Sequence, residues 1–168
     1  MVAKPKILGR PRTFAKPDKI LLIEPPNNLF VGFNATVVVE PLGLQYLAGG
    51  IEDLAQLMIY DMRVDPKPLA DVLEEFAPDL IGIKEGYTVD VDAVKKVAKE
   101  IKALAPDIPV VVGGHHVSLA PKDAFSPDID AIVIGDGEKP FRDLVLKLQS
   151  GKGLSNTVDV IFRNELNE

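Results

Sequence analysis

The chain has 168 residues, 46% of them apolar and 26% charged, with a formal net charge of −6 and no cysteine. That length carries one domain with a real core, and the apolar share excludes disorder for most of it. The acidic balance argues against a nucleic-acid partner, no apolar run approaches the roughly 20 residues that span a bilayer, and the lack of cysteine removes disulfides, thiolate-held iron–sulfur clusters and a thiol nucleophile.

Residues 1–19 carry Lys4, Lys6, Arg10, Arg12, Lys16 and Lys19 among three prolines, without apolar periodicity, and read as a flexible leader with no secretory signal; the expected location is the cytoplasm. Order is expected from Ile20-Leu21-Leu22-Ile23, an apolar run that Glu24-Pro25-Pro26 closes, because proline cannot donate to a ladder. From Pro41 to Leu54, Leu44, Leu47, Ala48 and Ile51 fall on one helical face, and Leu57–Asp61 follows as a short strand. Leu69, Val72, Leu73 and Phe76 mark a helix stopped by Pro78, and Leu80-Ile81-Gly82-Ile83 is the third strand. Val91, Val94, Ala98, Ile101 and Ala105 predict an amphipathic helix with Lys95, Lys96, Lys99 and Lys102 facing water. Ile108–Val112 and Ile129–Ile134 are strands four and five, Phe141, Leu144, Val145 and Leu148 a helix before Gly151, and Val158–Phe162 a further edge strand.

Strands that are apolar without alternation, interleaved with amphipathic helices, require a parallel sheet covered on both faces. The expected fold is therefore α/β, a doubly wound parallel five-stranded sheet of flavodoxin-like order 2-1-3-4-5, with a crevice between strands one and three at their carboxyl ends. Glycine-marked turns follow two of these strands, Gly113-Gly114-His115-His116 and Gly135-Asp136-Gly137-Glu138. Glycine there lets backbone approach a ligand closely, so the two turns suggest a binding rim.

The series Leu22-Ile23-Glu24-Pro25-Pro26, Pro41-Leu42-Gly43-Leu44-Gln45-Tyr46-Leu47-Ala48, Pro78-Asp79-Leu80-Ile81-Gly82-Ile83, Val111-Val112-Gly113-Gly114-His115-His116 and Gly135-Asp136-Gly137-Glu138 resembles the N-terminal cobalamin-binding domain of cobalamin-dependent radical S-adenosylmethionine enzymes. That group includes methyltransferases and the anaerobic oxidative cyclase of magnesium-protoporphyrin monomethyl ester. Gly113, Gly114 and His116 match its Gly-Gly-x-His pattern, and Gly135, Gly137 and Glu138 its Gly-Glu-Gly-Glu pattern with Asp136 substituted. The resemblance implies cobalamin as cofactor, a domain over 20–163, and a tail 164–168 leading into a catalytic domain beyond this sequence. The iron–sulfur cluster and S-adenosylmethionine would belong to that partner domain, so this chain would carry a cofactor without catalysis of its own.

Two departures from the pattern shape the expectation. The loop after strand one reads Glu24-Pro25-Pro26-Asn27-Asn28-Leu29, with no histidine to replace the cofactor's tail base beneath cobalt, which implies base-off cobalamin without a lower ligand from this loop. After Gly82-Ile83 come Lys84 and Glu85 in place of Ser or Thr, with Thr88 offering a hydroxyl nearby. The cofactor-binding residues expected are Pro26, Asn27, Gly82, Thr88, Gly113, Gly114, His116, Gly135, Gly137 and Glu138, with no catalytic or metal ligand in the chain. A macrocycle with a nucleotide tail needs an apolar floor and a slot that Gly113-Gly114 would widen, so Gly114→Val is expected to abolish binding and leave the fold.

Simpler roles stand beside these. His116 would bond locally or touch the cofactor rim while the adjacent His115 points away to solvent; Glu138 would face a helix N-terminus with Asp136 as cap; Tyr87 and Phe33 would stack on the macrocycle or pack as core; Asn27, Asn28 and Asn34 would serve turns. Two other functions share the fold: a degenerate domain that docks a partner without cofactor, and a phosphoacceptor receiver, for which Glu24, Lys84-Glu85, Gly113-Gly114 and Lys139 lack the central aspartate.

Overall fold

The computed structural model of the protein describes residues 16–26, 39–152 and 157–162. Its strands are β1 (Lys19–Glu24), β2 (Gln56–Asp61), β3 (Leu80–Lys84), β4 (Val110–Gly113), β5 (Ala131–Val133) and β6 (Val160–Phe162). They form one sheet in the order β2-β1-β3-β4-β5-β6. The first five run parallel and β6 is antiparallel to β5. The doubly wound order is the expected one, and the edge strand occupies only the last three residues of its expected span.

Side-chain parity along each strand sorts the core into two layers. Leu21, Ile23, Ile81, Ile83, Val110, Val112 and Ile132 pack with α2 (Leu69–Phe76) and α3 (Val91–Leu104). Ile20, Leu22, Leu80, Val111, Ala131 and Val133 pack with α1 (Leu42–Gly49) and α5 (Glu138–Gln149). Ile20 to Ile23 are completely buried, which is why that run shows no alternation of apolar and polar residues. In α3, Val94, Val97, Ala98 and Ile101 supply the buried stripe at helical spacing.

The local picture changes in four places. The first helix ends at Gly49 rather than Leu54, because Gly49-Gly50 weakly sustain a helix and the chain must turn into β2; Ile51 still enters the core from that turn. Lys102 does not face water: its ammonium lies 2.6 Å from the Asp130 carboxylate and donates to the Ile108 carbonyl at 2.5 Å, since the end of α3 lies over the strand that follows. A short helix α4 (His115–Leu119) and a 3₁₀ turn Pro121–Ala124 occupy the connection after β4, too brief to leave a periodic signal. Pro17 is buried, and Asp79 accepts the backbone N–H groups of Asp18 and Lys19 at 3.1 and 3.0 Å, so the last leader residues are anchored to the domain.

Candidate functional site

On the α1/α5 side of the sheet, at the carboxyl ends of β3, β4 and β5, lies a cavity of about 550 Å³. Its floor is low because strand parity points Gly82 and Gly113 to this side, beside Val111 and Val133. A Cβ on Gly82 would come within 2.9 Å of Leu22 Cδ2 and 3.5 Å of Phe141 Cζ, and one on Gly113 within 3.4 Å of Val133 Cβ. Leu44 and Leu47 of α1 form one wall and Phe141 of α5 the other. The walls are tied together away from the mouth: Arg142 donates to the Gly50 carbonyl at 2.8 Å and to the Asp53 carboxylate at 2.5 Å. That guanidinium holds the exposed Asp53 carboxyl below its ordinary range.

Three turns make the rim. Gly114 has φ +137°, and a Cβ there would lie 2.5 Å from the Glu85 carbonyl oxygen, so only glycine permits this approach of two backbones. The Glu85 N–H donates to the Gly113 carbonyl at 2.8 Å. Ser118 Oγ donates to the Gly114 carbonyl at 2.8 Å and accepts from the Gly135 N–H at 2.9 Å, joining the second turn to the third. Gly135, at φ +77°, then lets the chain turn over the mouth toward Glu138, the first residue of α5, where a carboxylate opposes the helix dipole.

The structure brings Gly82, Gly113, Gly114, Gly135, Gly137 and Glu138 together as cavity lining. Thr88 and His116 lie outside that lining and meet each other: Thr88 Oγ1 is 3.2 Å from His116 Nδ1, and His116 Nε2 is 3.1 Å from Asp123 Oδ2. Pro26 follows β1 and is not among the described lining residues. Asn27, with Asn28, Phe33 and Asn34, falls outside the described residues. The site adds residues that motif reading assigned elsewhere: Leu44, Leu47 and Phe141, legible only as core; Ser118, which carried no signal; and His115, exposed at the rim while its neighbour turns away. Tyr87 lines the same rim and is 63% exposed, so its ring is available to a ligand.

The expected opening between β1 and β3 is bridged. Lys84 and Glu85 are successive strand-end residues and diverge to opposite faces, so they are not a charge pair. Lys84 Nζ instead donates to both oxygens of Glu24 at 2.9 Å, joining the ends of β3 and β1. Beside them Arg63 binds Asp61 at 2.7 Å; burial pushes the Asp61 carboxyl up, and the Arg63 bonds and charge overcome this and hold it below its ordinary range. Lys84 also lines the cavity, which among the described residues extends from the end of β3 to the turn after β5. Among the described residues no group of three or more His, Asp or Glu side chains is placed to hold a metal ion, and no helix is long and apolar enough to cross a membrane.

The chain is 32% identical over 150 residues to an uncharacterized methyltransferase of Pyrococcus horikoshii, covering 86% of this chain and 32% of that protein. It is 27% identical over 161 residues to the cytidylyl-2-hydroxyethylphosphonate methyltransferase of Streptomyces wedmorensis, covering 82% of this chain and 29% of that protein. It thus spans about a third of the length of these curated relatives. The fold is shared with the radical S-adenosylmethionine methyltransferase TsrM of Kitasatospora setae, solved with cobalamin and a [4Fe-4S] cluster, at TM-score 0.72 and 22% identity over 86% of this chain and 29% of that one. Residues 29–145 match the family described as the B12 binding domain, a span that takes in α1, α5 through Val145 and all three rim turns, and the chain belongs to that family.

Proposed function

We propose that this chain carries cobalamin over the carboxyl ends of β3, β4 and β5, with the nucleotide tail inserted between α1 and α5. The observation that carries the reading is the glycine-floored apolar cavity: Gly82 and Gly113 leave the sheet bare, and Leu44, Leu47 and Phe141 wall a slot suited to a flat, largely apolar base. The residues present fit the group. The first residues of α5 line the rim, where their backbone N–H groups would receive a tail phosphate, and Tyr87 and His115 stand where the edge of a macrocycle would pass. Of the ten residues expected to bind, Gly82, Gly113, Gly114, Gly135, Gly137 and Glu138 form this site, while Thr88 and His116 support it from behind.

The cofactor would be bound base-off. The sequence has two histidines, His115 and His116, so the loop after β1 offers none to cobalt, and a tail base seated in the slot is removed from the metal. Cobalamin would supply the cobalt-centred chemistry, and the protein its position. The catalytic partner would be a radical S-adenosylmethionine domain, in a methyltransferase or an oxidative cyclase; the share of the relatives' length that this chain covers supports that division of labour.

Mixing the chain with hydroxocobalamin, desalting it and recording the visible spectrum tests the reading. Corrin absorption retained at one equivalent, with the spectrum of a detached tail base, is the expected result. A colourless protein overturns it and favours a domain that only docks its partner.

A further inference from the structure

Behind the rim, on the opposite face of the sheet from the cavity, Glu85 is completely buried, and neither carboxylate oxygen has a hydrogen-bond partner among the described residues. A buried ionised carboxylate without hydrogen bonds is costly, and native proteins rarely keep one without a use. The imidazole of His116 stands beside it, with Nε2 3.9 Å from Glu85 Oε1. The imidazole is itself held from both sides, by Thr88 Oγ1 at Nδ1 and by Asp123 Oδ2 at Nε2. The groups facing Glu85 are thus His116 from α4, Asp123 from the turn after it, Lys95 from α3 and Asp90 from the turn before α3.

These side chains sit under the two turns that frame the cavity. Glu85, Tyr87 and Thr88 belong to the turn after β3, where the Asp90 carboxylate accepts the Tyr87 N–H at 3.0 Å. Gly114, His115, His116 and Ser118 belong to the segment after β4. The only direct backbone bond between the two pieces runs from Glu85 N–H to the Gly113 carbonyl, among the described residues. Whether the Glu85 side chain is neutral or charged therefore acts at the seam between them.

The geometry points to Glu85 and His116 as a positioning pair for the cavity: a neutral Glu85 carboxyl keeps the 85–88 turn seated on the 113–118 segment, and ionisation of Glu85 loosens that seam and the rim, so that ligand affinity falls as pH rises. The proton balance is simple. Below neutrality the carboxyl keeps its proton and is a compact polar group within the core; above it the proton leaves to solvent and a charge is left behind in the core, with no hydrogen bond among the described residues. Burial pushes the Glu85 carboxyl up to about 7, His116 and Lys95 pull toward the ionised form, and Asp123 and Asp90 oppose ionisation. Because the native value lies above the ordinary 4.5, this group's stabilising effect is complete below about 4.5 and is lost as pH climbs through 7.

The affinity part of this inference rests on cobalamin binding, so the first measurements omit the cofactor. Carboxyl ¹³C NMR titration of the wild-type chain is expected to show one glutamate titrating near 7; titration of every glutamate below about 5.5 overturns the inference. Urea unfolding of wild type and Glu85→Gln at about pH 4 and about pH 8.5 is expected to give equal stability at the lower pH and a less stable wild type at the higher. The same pH dependence in both proteins overturns it. Hydroxocobalamin affinity is then expected to weaken roughly tenfold between those pH values in wild type and to stay level in Glu85→Gln. An affinity that ignores pH while stability follows it removes the link to the cavity, and an absence of binding at both pH values rejects the proposed cofactor without touching the two cofactor-free results.

Discussion

A side chain on Gly114 would collide with the Glu85 backbone, its Cβ 2.5 Å from the carbonyl oxygen at a φ that L residues avoid. Gly114→Val is therefore expected to disturb the fold as well as binding, against the reading from the motif: the residue serves the contact between two turns before it serves a ligand. Gly114→Ala is expected to cost about 1–3 kcal/mol, read as a lower urea midpoint, and a midpoint equal to wild type would show that the turns shift freely. Glu85 shows the opposite kind of cost. Its raised carboxyl contributes up to about 3 kcal/mol of differential stability between about pH 4 and alkaline solution, all of which Glu85→Gln removes.

At the scale of elements, the cavity exists because two helices stand off the sheet where its side chains are missing. α5 packs through Leu144 and Leu148 in one cluster with Ile51, which follows α1, while Leu44, Leu47 and Phe141 face the space above Gly82 and Gly113. Leu47 is half-buried on the α1 wall. Leu47→Trp fills the slot from that wall and is expected to abolish hydroxocobalamin retention while far-ultraviolet circular dichroism and the urea midpoint change little. Retention at wild-type level in the variant would place the cofactor elsewhere. The ion pair of Lys84 with Glu24 works at the same scale, joining the ends of β3 and β1 and leaving the opening to β3, β4 and β5.

Among the described residues one sheet carries a helical layer on each face, so both layers lose their support together when it opens. Unfolding is expected to be a single cooperative transition. A ligand bound only to the folded form at about one hundred times its Kd adds about 2.7 kcal/mol, or roughly 5–10 °C in Tm for a chain of this size. Saturating hydroxocobalamin is expected to raise Tm by that amount, measured by circular dichroism, and an unchanged Tm would contradict binding to the native state.

Fold class and strand order were legible in the sequence because buried parallel strands demand unbroken apolar runs, as at Ile20–Ile23, and helices demand a 3.6-residue stripe, as from Val94 to Ile101. The rim was legible too, since Gly113, Gly114, Gly135 and Gly137 stand directly after strands, where only a turn or a ligand explains glycine. Periodicity could not separate wall from core: Leu44, Leu47 and Phe141 carry the same stripe as any packed residue, and they line a cavity only because the sheet beneath them is bare at Gly82 and Gly113. Nor could order along the chain say which histidine faces the mouth, because that follows from the backbone at Gly114. Lys84 and Glu85 are neighbours in sequence and strangers in space, one bound to Glu24 and the other buried beside His116. Local pattern determines where elements form and which faces they bury; only tertiary packing decides which distant charges meet and where the sheet is left bare.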